Sequence, residues 1–413
     1  MSFQQGLSGL NAASKTLESI GNNIANANTV GFKAGQAQFA DVYANSLSGA
    51  GGGGSSGIGT KVTQVAQQFT QGNITASANP LDVAINGGGF FRMSNNGSIS
   101  YARNGQFQLS KEGYIINAAG ARLTGFAADA TGTLEKGAPV DLRISSADLT
   151  PRTTTKVETQ LNLNSTVTPI TVAFDKDTPT TYHNATSVNV FDSLGIAHTL
   201  QTYYVKDGAG SWTIYGAFDD GVAVQQLPAA IGTVTFDTSG AIATPAPPAP
   251  ASFTVTLTPD ASLNAAPFPV TIDLTGTTQF GSPFSVNALT QDGYTSGRLS
   301  GFNTGPDGVI TGRYTNGKTA TLGQVVLANF TNPNGLQPLG NNAWAESATS
   351  GQPLVATPNS GGLGVLQAGA VEDSNTDLTA ELVTMITAQR VYQANAQTIK
   401  TQDQILQTLV NLK

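Results

Sequence analysis

The chain has 413 residues, a formal net charge of −7, no cysteine and only 11% charged residues. Without a basic run to meet phosphates it is not expected to bind nucleic acid, and without cysteine it can form neither disulfides nor thiolate metal sites. Ordinary soluble domains carry about 25% charge, so the polar surface here must be built from Asn, Gln, Ser and Thr; that suits a protein packed against many copies of itself, and also a secreted adhesin.

The first residues, MSFQQGLSGLNAASK, lack a basic segment followed by a continuous apolar one, so no cleavable signal peptide is expected. No apolar run is long enough to cross a bilayer, and no membrane partner is expected. The segment reads as a helix. Ser2 and Gln5 fit a capping box, and Phe3, Leu7, Leu10, Ser14, Leu17, Gly21 and Ile24 recur at alternating spacings of 4 and 3, a coiled-coil seam. Next comes GNNIANANTVGFK, residues 21–33, with Asn22, Asn23, Asn26, Asn28 and Thr29. Amides satisfy the free groups of a helix end without adding charge, and Gly21 and Gly31 permit a turn or a close approach. Residues 29–70 are expected to link this helix to the β region, with a mobile Gly/Ser loop at 46–59.

From about 60 to 370 short β-branched and aromatic runs alternate with turn pairs such as Asn96-Gly97, Asn104-Gly105, Asp207-Gly208 and Asn316-Gly317, which predicts antiparallel hairpins. A block at 145–289, richer in Pro and Thr and containing the loop Thr244 to Pro250, is expected to be an outer β domain inserted into an inner one made of 71–144 and 290–373. The last segment is again helical. Ser374 and Asp377 offer cap chemistry, and Leu378, Leu382, Met385, Gln389, Tyr392, Ala396, Ile399, Asp403, Leu406 and Val410 keep the spacing of 4 and 3. Residues 374–413 would make a rod of about 60 Å, with a second apolar edge at Val383, Ile386, Ile405, Leu409 and Leu412. The expected fold is mostly β with α-helical coiled-coil termini (1–28 and 374–413) and nested discontinuous domains. The termini are expected to pair with each other and with neighbouring subunits. Helices so poor in apolar residues are expected to order on assembly, so proteolysis of a monomer should remove roughly 1–70 and 370–413.

No constellation calls for catalysis. The only histidines, His183 and His198, flank Asp192 without the spacing of a metal motif, and surface strand or turn positions are expected for both. Asn86-Gly87-Gly88-Gly89-Phe90 lacks the order of a phosphate loop, and the segments at 129–134 and 207–210 lack the ligand pattern of a calcium loop. No catalytic residue, metal or cofactor is expected.

Several stretches together resemble the bacterial flagellar axial family of rod and hook subunits. They are MSFQQGLSGLNAASKTLESIGNNIANANTVGFK at the start, LDVAINGGGFFRM, Tyr101 to Phe126, Leu322 to Leu336, NAW at Asn342 to Trp344, and AVEDSNTDLTAELVTMITAQRVYQANAQTIKTQDQILQTLVNLK at the end. The long middle block and the TQDQILQTLVNL ending are of the hook type. The resemblance implies a structural protein, exported unfolded through the flagellar type III apparatus and polymerised with itself into a hollow tube outside the cell. A hook cap, the distal rod and the hook–filament junction proteins would be its partners. The terminal helices would line the tube, placing Phe3, Leu7, Leu10, Leu17, Ile24, Leu378, Leu382, Met385, Tyr392, Ile399, Leu406 and Val410 at the polymerisation interface.

Overall fold

A computed structural model gives the fold and describes residues 2–43, 57–129, 132–145, 147–245 and 251–411. The predicted mobile loop at 46–59 falls largely outside the described residues, as do most of the Pro-rich loop at 244–250, Leu412 of the second apolar edge, and the side chains of Leu409 and Val410. The chain divides into two compact units, one of residues 1–146, 301–313 and 319–413, the other of 147–300 and 314–318.

The first unit contains both helices, α1 (Ser2–Ala25) and α2 (Leu378–Asn411). Where a linking segment was expected, β1 (Gly35–Tyr43) and β2 (Gly57–Gln67) pair as a long antiparallel ribbon. The sequence concealed it because Gln, Ala, Gly and Thr dominate both strands and blur the alternation by which strands are recognised. The rest of the unit is a sheet of thirteen short strands and two small strand pairs, Ile74–Ala76 with Ala370–Glu372 and Val83–Asn86 with Val365–Ala368. Its core is aromatic. Phe90 and Phe69 meet Trp344 edge-on at 5.7 and 5.5 Å, and Tyr101 meets Phe330 at 4.7 Å. Edge-to-face pairs of this kind add about 1 kcal/mol each beyond area burial.

The second unit is a β sandwich. Its five- and six-stranded sheets share one core, in which Leu161, Leu200, Trp212, Ile214, Leu257 and Val270 are almost wholly buried. Alternation sets which residues face in: Val157, Leu161 and Leu163 on one strand, Trp212, Ile214 and Phe218 on another. The chain enters and leaves this unit side by side, with Leu149 bridged to Gly297 and Arg152 to Tyr294. The block therefore runs to about residue 300, not 289. Ser285–Gln291 pairs with Lys156–Asn164 and carries the return chain into the sandwich.

The turn pairs differ in what they close. Asn96-Gly97 closes the hairpin between Phe90–Asn95 and Ser98–Ala102, both residues with positive φ as a tight turn requires. Asn104-Gly105 is no hairpin turn: the Gly105 carbonyl accepts from Val83 N at 2.9 Å in a crossing of two segments.

Candidate assembly surface on the terminal helices

α1 and α2 pack antiparallel. A side chain at Gly6 would meet Ile399 Cγ1 at 3.1 Å, one at Gly9 would strike the Asn395 amide at 2.8 Å, and Asn23 Nδ2 donates to Glu381 Oε1 at 2.8 Å. In each contact the two residue numbers add to 404 or 405. On that register Ser2 lies opposite Gln402, and residues 403–411 of α2 have no part of α1 opposite them. α2 starts at Leu378 because Asp377 caps it, Oδ1 accepting from Thr379 N and Ala380 N at 2.9 and 3.1 Å. Its 34 residues make about 51 Å; the expected rod of about 60 Å also counted 374–377, which precede the helix, and 412–413, which lie outside the described residues. Of the capping box expected at Ser2 and Gln5, the Ser2 side chain lies outside the described residues, and the Gln5 amide donates to Gly57 O of the ribbon at 2.6 Å.

The predicted spacing is present, but its phase within the chain is different. The α1 residues turned inward are Gly6, Ala13, Ile20 and Asn23, small or polar except for Ile20. Small residues let two helix backbones approach closely, and they give no hydrophobic signal in a sequence. Phe3 and Leu7 are each 45% exposed, and Leu10, Leu17 and Ile24 are half-buried. On α2 the inward face includes Met385, Ala388, Asn395 and Ile399, with Tyr392 at its margin. Leu378, Leu382, Val383, Ile386, Ile405 and Leu406 stand 45–61% exposed. The threonines of α2 are occupied within it, Thr384, Thr387, Thr398 and Thr401 each donating to the carbonyl four residues earlier. The helix thus shows water few charges and an apolar stripe with no partner among the described residues.

The amide cluster sits where this arm joins the β core. Asn23 is 3% exposed; its amide donates to Gly35 O at 2.9 Å and its oxygen accepts from Gly35 N at 2.8 Å, tying α1 to β1. Gly31, with φ +71°, is required, since any side chain would strike the backbone of Asn104. Gly21 has open space and is not required. Lys33 then reaches a fully buried ionic cluster. Its Nζ lies 2.6 Å from Glu372 Oε1, and Arg103 Nε lies 3.3 Å from Glu372 Oε2. Burial holds both cations below their ordinary pKa values; the bond and charge of Glu372 oppose this at Lys33, and its charge does so at Arg103. Arg103 also donates to Gly87 O and Gly89 O, and Lys33 to Thr70 O. The glycine-rich turn at 87–89 is thus a seat for an internal arginine.

This junction changes the proteolysis expectation. Gly31, Lys33, Phe69, Thr70 and Glu372 are built into the β core, so cutting at 70 and 370 would tear it open. Limited digestion of the monomer should give a core that begins before Gly31 and ends after Asn375, as read by intact mass. A stable core starting near residue 70 would contradict the cluster's role.

Of the two histidines, His198 departs from the expected surface position. His198 is buried in the sandwich, with Nδ1 2.9 Å from Asp219 O and Nε2 3.1 Å from Asp192 Oδ2. His183 is half-buried, edge-on to Trp212 at 5.4 Å. Among the described residues no group of three His, Cys, Asp or Glu side chains could hold a metal ion, and no helix is long and apolar enough to cross a membrane.

Comparison with known proteins runs in the same order along the chain. Residues 3–33 match the family described as flagella basal body rod protein, 84–175 the flagellar hook protein FlgE/F/G D1 domain, 162–294 the flagellar basal body protein FlaE D2 domain, and 367–412 the flagellar basal body rod FlgEFG protein C-terminal region. The flagellar hook protein FlgE of Escherichia coli K12 is 41% identical over 422 residues, covering all of both chains. Those of Salmonella typhimurium LT2 and Rhizobium meliloti 1021 are 41% and 31% identical, each covering all of this chain. The crystal structure of Helicobacter pylori hook protein FlgE2 covers 72% of this chain with a TM-score of 0.54 at 15% identity, a likeness of fold. Matched from end to end, and carrying the helical termini and the inserted β block in that order, the chain belongs to the flagellar hook protein family.

Proposed function

We propose that the chain polymerises into a hollow, flexible tube that couples rod to filament and transmits torque, and that it is structural rather than catalytic. What carries this reading is the arm: two helices with an apolar stripe, Leu378, Leu382, Val383, Ile386 and Leu406, half open to water and bordered by almost no charge. A monomer does not retain such a stripe without use, whereas a subunit surrounded by copies covers it. The chain would be exported through the flagellar type III apparatus. It would assemble beneath a hook cap, between the distal rod and the hook–filament junction proteins, in the extracellular flagellum. The sandwich would form the outer layer and the helical arm the inner tube. Negative-stain microscopy of the concentrated full chain tests this. Tubes are expected; discrete particles at every concentration would overturn it.

A further inference from the structure

Beside the helix pair runs a groove that no described side chain fills. One cleft of about 430 Å³ is walled by Ala12 and Ala13 of α1, Thr387, Ala388 and Val391 of α2, and Phe39 of the ribbon. A second of similar volume continues it toward Ile20 and Asn23, sharing Thr16, Phe39 and Thr384. The first carries no charged side chain in its lining. The register of the two helices leaves a matching piece elsewhere on the same chain. Residues 403–411 of α2 run past Ser2, and there Ile405 and Leu406 are 50% and 52% exposed. From Gln404 to Asn411 this piece is likewise uncharged.

We propose that the Ile405–Leu406 stretch of a second copy seats in this groove. The proposal rests on the reading of the chain as a tube subunit and names the contact that joins one arm to the next. The same chain cannot make it. Thr387 and Leu406 lie on one continuous helix, about 28 Å apart, so the projecting end points away from its own groove. The contact is also heterologous, a projecting end into a different surface. Repeated, it builds a ring or an open helical array rather than a two-fold dimer, and a tube needs the open array. Because neither the Ile405–Leu406 stretch nor the cleft at Thr387 bears charge, register there is set by shape: two branched side chains against small ones, with the Phe39 ring along one wall.

The chain has no cysteine, so a cross-link can be introduced cleanly. Leu406→Cys and Thr387→Cys are combined in the full chain, assembled, and treated with a short bismaleimide. A ladder of covalent oligomers is expected, on the order of tenfold above unassembled monomer, because assembly fixes the two thiols at high effective concentration. Each single variant alone should give no ladder, and a mixture of the two singles should stop at dimers. Should Leu406→Cys assemble poorly, it is seeded into wild-type tubes, with Ile405→Cys as a second attachment point. Tubes in which Thr387→Cys joins neither position would overturn the proposal while leaving the tube reading intact. So would cross-linking of Thr387→Cys to Phe3→Cys or Leu7→Cys instead, which would place α1 of the neighbour in the groove. Absence of tubes from the wild-type chain would instead remove the reading on which the proposal stands.

Discussion

Leu406→Asp should eliminate tubes while leaving the monomer almost untouched. In the isolated chain Leu406 is 52% exposed, so the substitution removes little packing. It costs about half a kcal/mol in helix propensity, and somewhat more because an acid sits near a helix C-terminus. On the proposed contact the same position is covered in the polymer, and an unpaired buried carboxylate costs several kcal/mol. A loss of about 4 kcal/mol per subunit raises the concentration needed for assembly about a thousandfold. Circular dichroism and melting of the monomer should therefore match wild type, with no tubes by microscopy at any accessible concentration. Leu382→Asp, 45% exposed on the other half of α2, should behave in the same way. Met385→Asp should not, because Met385 faces inward and its loss weakens the arm of the monomer itself. Normal tubes from Leu406→Asp would show that this end of α2 stays wet in the assembly.

Glu372→Gln acts on the fold rather than on the assembly, and its effect should be as large. The carboxylate is the only anion in the buried cluster with Lys33 and Arg103. Removing it leaves two cations without a counter-charge, a change that costs about 3–5 kcal/mol when one partner of a buried pair is deleted. The melting of the first unit should fall by on the order of 10 °C. The sandwich has a core of its own and should keep its transition, which gives an internal control. The pH dependence supplies a second readout. Burial already holds Lys33 below the ordinary lysine value, and Glu372 is what opposes the shift. Without Glu372 the folded state sheds the Lys33 proton at a lower pH than the unfolded chain does. Between those two values the unfolded state binds more protons, so stability rises with pH. Glu372→Gln should thus regain stability on the approach to the ordinary lysine range, more steeply than wild type. Lys33→Met/Glu372→Gln should melt above the single variant. A flat pH response with no gain in the double variant would mean that the carboxylate's shape, not its charge, is what the core needs.

Much of the site's general character could be read from the chain, while its phase could not. The spacing of 4 and 3 along Leu378, Leu382, Met385 and Tyr392 identified a helix with an apolar stripe. It could not tell which of two adjacent stripes faces α1, because the partner stripe on α1 is made of Gly6, Gly9 and Ala13. Those residues act by what they lack: they admit Ile399 and Asn395, and no hydrophobicity count registers that. The leucines that looked like the seam are half-buried, as Leu10 and Leu17, or exposed, as Leu7, Leu378, Leu382 and Leu406. The ribbon is illegible in the sequence for a related reason, since its strands carry Gln and Thr where a recognisable strand would alternate.

By itself the sequence determined the quantities that local chemistry controls: helical termini from apolar period, antiparallel β structure from dense turn pairs, a charge-poor surface from composition, and kinship from contiguous motifs. Only the tertiary structure decided what depends on residues far apart in the chain. Lys33 and Glu372, 339 residues apart, meet in one buried ion pair, and Asn23 and Glu381, 358 apart, share a hydrogen bond. His198 turned inward because Asp192 and the carbonyl of Asp219 lie where its two ring nitrogens can use them. Periodicity states that a face is apolar, since each residue contributes to it alone. Which apolar face is covered depends on the shape of the surface that meets it, and that shape exists only once the chain has folded.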